Sequence, residues 1–140
     1  MEVVRTLVVW CPDWPVAALG LLDRPAAVLE ANRVAAASPA ARREGVRVGL
    51  RRRDAQARCP ELVLAERDAR REARAFEPVV AAVGAFSPLV ELARPGSCAL
   101  PTRGPSRYFG GDHALAAKVV AAVSEALAGR GRGRVGVADG

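Results

Sequence analysis

A chain of 140 residues that is 51% hydrophobic and 26% charged can bury one core, which excludes wholesale disorder, and no apolar run reaches the roughly 20 residues that span a bilayer. Twenty-one basic residues against fifteen acidic ones give +6, and Lys118 is the single lysine. A polyanionic partner and the arginine bias of a GC-rich genome explain that charge equally well. Three widely spaced cysteines (Cys11, Cys59, Cys98) and the lone His113 make a poor zinc set. Small buried thiols in a reducing compartment, with no cofactor, are expected instead. The opening Met1 to Arg5 lacks a cationic leader, so a cytoplasmic location without membrane contact is expected.

Val3 to Val9 is a β-branched run suited to a central strand buried on both faces and stopped by Pro12. Trp14 to Leu22 reads as a helix with Asp13 as its N-cap and Pro15 in the first turn. Ala26 to Glu30 and Arg33 to Ala37 flank Ala31-Asn32 and predict a hairpin. Ser38-Pro39 caps a short helix that Gly45 stops, and Arg51 to Arg58 forms another, ended by Cys59-Pro60. Leu62 to Leu64 is a short strand. Asp68 then caps a helix bearing Phe76, Val79, Val80 and Val83, in which Pro78 either makes a kink or begins a second helix.

Leu89 to Leu92 and Ser97 to Leu100 form a strand pair around Arg94-Pro95-Gly96, or one bent strand. Tyr108 and Phe109 are expected to close a loop as packing anchors. Asp112 caps an amphipathic helix with Leu115, Val119, Val123 and Leu127 on one stripe and Gly129 as its stop, and Val135 to Ala138 is a last strand. The order of elements predicts an α/β or α+β domain with an inserted helical lobe. Within one short segment Arg42, Arg43, Arg47, Arg51, Arg52, Arg53 and Arg58 meet only Glu44 and Asp54, which makes Arg43, Arg47, Arg51, Arg52 and Arg53 candidate phosphate contacts.

Several segments in this order resemble the N-terminal part of Y-family translesion DNA polymerases, and specifically the ImuB-type members thought to have lost catalysis. They are the first strand with its small-residue helix, Arg24 to Val28, Ala36 to Gly49, Ala57 to Val63, and Phe86 to Glu91. The resemblance implies a palm sheet with helices on one face, made of residues 1–10 and 78–140, and a fingers-like insertion over 11–77. Thumb, little finger and C-terminal region would lie outside the chain.

Active members hold two magnesium ions with a carboxylate at the end of the first strand and an Asp-Glu pair on the later one, because hard divalent ions need oxygen ligands. The corresponding positions here are Trp10, Gly96 and Ser97, so the resemblance implies no catalysis and no bound metal. Asp13, Glu91 and Asp112 are the nearby acids that would have to substitute. Of the tyrosine and arginine that contact the nucleotide triphosphate in active members, the first position is Pro39 and the second is kept as Arg42. Trp10 is expected to fill the volume that the metals vacate. The implied partners are an error-prone replicative-type polymerase (ImuC-like), a RecA-like accessory protein (ImuA-like) and, through the C-terminal region, the sliding clamp. DNA is a further candidate partner. The alternatives are an active translesion polymerase with displaced ligands and a simple arginine-rich nucleic-acid-binding module.

Overall fold

The computed structural model describes residues 4–139. In chain order it contains β1 (Arg5–Trp10), α1 (Trp14–Ala17), β2 (Ala26–Glu30), β3 (Arg33–Ala37), α2 (Pro39–Arg43), α3 (Arg52–Arg58), β4 (Val63–Glu66) and α4 (Ala69–Gly84). The chain continues through β5 (Glu91–Arg94), β6 (Ser97–Pro101), α5 (Pro105–Phe109), α6 (Asp112–Leu127) and β7 (Arg134–Asp139). This is the expected order with one addition, α5. Val3, where the first strand was expected to begin, lies outside the described residues. Two compact units result: an inserted one of Asp13–Glu72, and a flanking one that joins the chain up to Pro12 with the chain from Ala73 onward. The inserted unit ends at Glu72, inside α4.

The flanking unit is built on an antiparallel sheet of order β5-β6-β1-β7. Register places Leu7 opposite both Leu100 and Val137, and Val9 opposite both Cys98 and Val135. Because side chains alternate along a strand, these residues share one face. Leu7, Val9, Cys98 and Leu100 on that face are buried, as are Leu115, Val119, Val123 and Leu127 of α6 and Phe76, Val79 and Val83 of α4. The stripe expected in α6 is therefore its core face, and α6 packs beside β7. The approach is close at Gly133, where an added Cβ would stand 2.5 Å from Val123 Cγ1.

The opposite face of β1 departs from expectation. Thr6 and Val8 are half-buried and Trp10 is exposed, so β1 is central but covered on one side only. A run of β-branched residues does not separate these cases, since such side chains also suit an open pleated face. Pro78 lies on the exposed side of a single unbroken α4, and buried Phe76 and Val79 hold the helix on either side of it. The strand pair around Gly96 is a true hairpin, with Gly96 at φ 99 in its turn. Its first strand starts at Glu91 because Ser87 Oγ accepts from the Leu89 backbone N–H and holds the Ser-Pro segment in a turn.

One predicted cap moves, and another caps by position alone. The N-cap of α6 is Gly111, not Asp112, whose carboxylate instead takes Arg5 Nη1 at 2.9 Å and the Ser106 hydroxyl. Asp13 is the N-cap of α1 as expected, but at φ 57 its side chain makes no cap bond, and α1 is a single turn that ends at Ala17 ahead of Gly20 at φ 72. Pro105 at the first helical position starts α5, and of its two rings only Phe109 acts as an anchor. It packs against Phe86 with ring centres 5.2 Å apart and the planes tilted by 57°, while Tyr108 meets Phe109 edge-on and is 83% exposed.

The inserted unit carries a three-stranded sheet of order β3-β2-β4, with β2 antiparallel to β3 and parallel to β4. Ala31 and Asn32 take φ 50 and 62, the left-handed pair that a two-residue hairpin requires, at the predicted place. Small residues let both faces of β2 pack tightly. Ala27 and Leu29 join Val34, Ala41, Val46, Ala55 and Cys59 on one side, and Ala26 and Val28 join Val16 and Ala36 on the other. Ser38 binds the first helix turn to the sheet: its fully buried hydroxyl accepts from Ala41 N and Ala26 N and donates to Arg24 O.

Candidate functional site

β1 ends at Trp10, which faces Ser97 across the β1/β6 ladder and Arg134 across the β1/β7 ladder. One step on, Cys11 N–H donates to Gly96 O at 2.8 Å. Trp10, Gly96 and Ser97, remote in sequence, therefore form one corner of the sheet. The Trp10 indole lies over Gly136, where a Cβ would come within 3.5 Å of Cζ3, and it remains 39% exposed. The ring spreads across the open face and is not packed away.

An indole, a glycine and one hydroxyl do not fit a divalent ion, since magnesium demands near-octahedral oxygen ligation and charge compensation that only carboxylates provide at protein sites of this kind. Gly96 is also buried and at positive φ, so its backbone is that of a turn glycine. The nearby acids are placed otherwise. Glu91 stands opposite Ala99, on the Trp10 face but displaced along the sheet from Ser97. Asp112 is held by Arg5 and Ser106, and Asp13, in the inserted unit, is held by Arg42. Among the described residues no group of three or more His, Cys, Asp or Glu could hold a metal.

All three cysteines are free and buried. Burial pushes the Cys98 thiol up to about 11, and burial followed by the neighbouring Cys98 pushes Cys11 up to about 11 as well. The Cys59 thiol is raised, first by burial and then by Glu61. A neutral thiol is a poor nucleophile, so none of the three offers covalent chemistry near neutral pH.

In the inserted unit Pro39 occupies the first position of α2, directly after the Ser38 cap. Arg42, one turn along, is engaged. Its Nη1 donates to Asp13 Oδ1 at 2.7 Å and to Ala37 O at 2.7 Å, and Nη2 donates to Asp13 Oδ2 at 3.1 Å. A fork–fork pair of this type uses the donor geometry that a phosphate would need. The pair is not visible in the sequence, because its members are far apart and Asp13 reads simply as the cap of α1.

The other arginines between Arg33 and Arg58 fall into two groups. Arg47 donates to Arg42 O and Val46 O, Arg58 to Gly45 O, and Arg33 to Gly49 O, so these three secure loop carbonyls. Arg43, Arg51, Arg52 and Arg53 are exposed, and no side-chain hydrogen bond or ion pair engages them among the described residues. Arg51 is the N-cap of α3, Arg52 and Arg53 follow in its first turn, and Asp54 is the acidic residue there. Positive charge at a helix N-terminus opposes the macrodipole, so helix stability does not explain this placement. Arg33 and Arg51 are moreover bridged backbone to backbone, which brings two like charges together.

By structure the chain is similar to a Y-family DNA polymerase chimera of Dbh and Dpo4, with a TM-score of 0.77 and 16% identity over 95% of this chain and 42% of that one. It is equally similar to DinB from Sulfolobus solfataricus, with a TM-score of 0.77 and 17% identity over 96% of this chain and 42% of that one. At these identities the likeness concerns the fold, and the chain spans about two fifths of the length of those polymerases. No curated protein matches by sequence. The model of the impB/mucB/samB family matches residues 16–139, nearly the whole chain. With the palm-and-fingers fold of the Y-family polymerases and a family match of that extent, the chain belongs to the impB/mucB/samB family.

Proposed function

We propose that this chain is the palm-and-fingers part of a non-catalytic, ImuB-type subunit that organises a DNA-damage-induced translesion complex. The flanking unit serves as the palm and the inserted unit as the fingers. In this reading the full protein links an ImuC-like error-prone polymerase to an ImuA-like accessory protein and to the sliding clamp, and it works in the cytoplasm. One observation carries the proposal: Trp10 and Ser97 face each other across β1 and β6, with Gly96 adjoining, at the strand end and hairpin turn where active relatives converge their carboxylates. Nucleotidyl transfer needs two clamped divalent ions there, and this corner offers no charge to hold them. The bidentate closure of Arg42 by Asp13 supports the same reading, because it occupies the one retained triphosphate contact.

The test is magnesium titration of the full-length protein with primer–template DNA and an incoming nucleotide. No primer extension and no saturable magnesium site are expected. Magnesium-dependent extension that disappears in Asp13→Ala or Glu91→Ala would establish a living polymerase with displaced ligands.

Exposed Arg43, Arg51, Arg52 and Arg53 favour a second role, DNA contact by the inserted unit, whereas Arg47 is taken up by the Arg42 and Val46 carbonyls. The three consecutive arginines at the start of α3 stand against the helix dipole, and a phosphate backbone offsets that cost. Duplex binding measured against salt should weaken with a slope near −0.9 per neutralised phosphate. Charge reversal of Arg51, Arg52 and Arg53 together should flatten the slope, and an unchanged slope rejects this contact.

A further inference from the structure

We infer that the open face of the four-stranded sheet binds single-stranded nucleic acid, with the Trp10 indole as the platform on which an unpaired base stacks. Ladder register sets a row of four side chains across the sheet at the Trp10 corner. Arg94 on β5 faces Ser97 on β6 just past a bulge, Ser97 faces Trp10 on β1, and Trp10 faces Arg134 on β7. Directly opposed residues project from the same side of a sheet, so an indole and a hydroxyl lie between two guanidinium groups. Arg94 and Arg134 are exposed, and neither makes a side-chain hydrogen bond or ion pair among the described residues. Arg130 and Arg132, exposed on the approach to β7, are unengaged in the same sense. Glu91, the acid on this face, stands opposite Ala99, one pleat away from the row. The indole rests on Gly136, whose missing side chain lets the ring lie along the sheet, and it is still 39% exposed. Covering a strand glycine explains a ring at this place, but it does not explain two free arginines in the same row.

The chemistry of the row selects the occupant. Its free cations call for anions and its ring for a planar partner, and the indole N–H and the Ser97 hydroxyl, which make no hydrogen bond among the described residues, call for polar edges. An unpaired nucleotide strand alternates phosphates with bases that are planar and polar at the edge, and stacking on an aromatic ring tolerates any sequence because every base has a π face. A duplex supplies the phosphates but keeps its base faces stacked inside. An apolar protein segment would take Arg94 and Arg134 out of water with no counter-charge. An acidic peptide supplies charge, but its apolar anchors draw affinity from pockets, and a pleated face offers a plane. No divalent ion takes part, so this surface goes beyond the scaffold role and is tested apart from it.

The experiment uses the whole chain in EDTA and its own tryptophan fluorescence. Of the two tryptophans, Trp14 is 3% exposed and its indole N–H donates to Glu72 O, so quenching by an added base reports Trp10. A short oligothymidylate should quench saturably. An abasic strand with the same number of phosphates and a blunt duplex should bind at least roughly tenfold more weakly and leave the fluorescence unchanged. In anisotropy titrations of the labelled strand, Trp10→Ala should lose roughly tenfold in affinity and Trp10→Phe should recover most of it, with the circular dichroism spectrum unchanged. Arg94→Gln and Arg134→Gln should each flatten the salt slope by about 0.7. The titrations are repeated in the chain with Arg51, Arg52 and Arg53 charge-reversed, where the quench should persist, so that a contact by the inserted unit is separated from this one. Equal affinity for the abasic strand in that chain, or an affinity indifferent to Trp10→Ala, overturns the inference. So does a concentration-dependent dimer in sedimentation velocity that Trp10→Ala abolishes, since the face would then receive a second copy of this chain.

Discussion

The pair between Asp13 and Arg42 joins the conformation of one residue to the availability of another, and it can be separated by substitution. Asp13 takes φ 57, which costs most L residues about 1 kcal/mol and which Asp and Asn tolerate best. Its carboxylate, 21% exposed, binds both terminal nitrogens of Arg42, whose side chain is 44% exposed. A part-exposed bidentate pair of this type contributes about 1 kcal/mol. Asp13→Asn removes the charge and keeps the backbone preference, so a loss of about 1 kcal/mol is expected. Asp13→Ala adds the backbone cost, for a total of about 2 kcal/mol.

Urea denaturation of these variants, of Arg42→Ala and of the doubles should give a coupling energy near 1 kcal/mol between positions 13 and 42. A coupling below about 0.3 kcal/mol, or equal losses for Asn and Ala, would refute the account of this pair. The same variants bear on the nucleotide site. With its fork released in Asp13→Asn, Arg42 should bind a fluorescent nucleoside triphosphate several-fold more tightly than in the parent chain. An unchanged affinity would mean that Asp13 is not what keeps Arg42 from phosphate.

Ser38→Ala leaves the Ala26 and Ala41 amides without their buried acceptor and should destabilise the protein by about 2 kcal/mol, read as a lower urea midpoint at unchanged slope. Gly133→Ala should cost about 1–3 kcal/mol in the same measurement, because its Cβ meets Val123 Cγ1 at 2.5 Å and either the strand or α6 must shift. The Cys11 and Cys98 thiols are held neutral by burial, with folded values raised to about 11. Their contribution is complete below the ordinary thiol range and is lost as pH rises through it toward 11. Thermal midpoints should therefore fall between pH 9 and pH 11, less steeply in Cys98→Ala than in the parent. A parallel fall in both proteins would show that the thiols are not responsible.

Elements set by local rules were legible in the chain. Ala31-Asn32 fixes the hairpin because its two residues accept left-handed dihedrals, and Ser38-Pro39 fixes the start of α2 because a hydroxyl and a pre-set φ suit a first helical turn. The stripe of α6 follows from its helical period alone. α5 was not legible, since five residues carry no period and the flanking glycines suggested a loop. The acids misled: Asp13 and Asp112 both stand where a cap belongs, yet arginines distant in sequence claim their carboxylates. Nor did the cluster of arginines reveal that Arg42, Arg47 and Arg58 are occupied while Arg43, Arg51, Arg52 and Arg53 are not.

The sequence by itself determined the order of strands and helices apart from α5, the absence of carboxylates at positions 10, 96 and 97, and the membership of a polymerase-like fold through segments spread along nearly the whole chain. The tertiary structure alone decided that those three positions meet at one corner of a sheet, that Trp10 lies open over Gly136, and that Arg42 is closed by Asp13. Local preference acts over a few residues, whereas ladder register and ion pairing join residues that the chain separates by dozens. That difference in range is why the first set could be read and the second had to be seen.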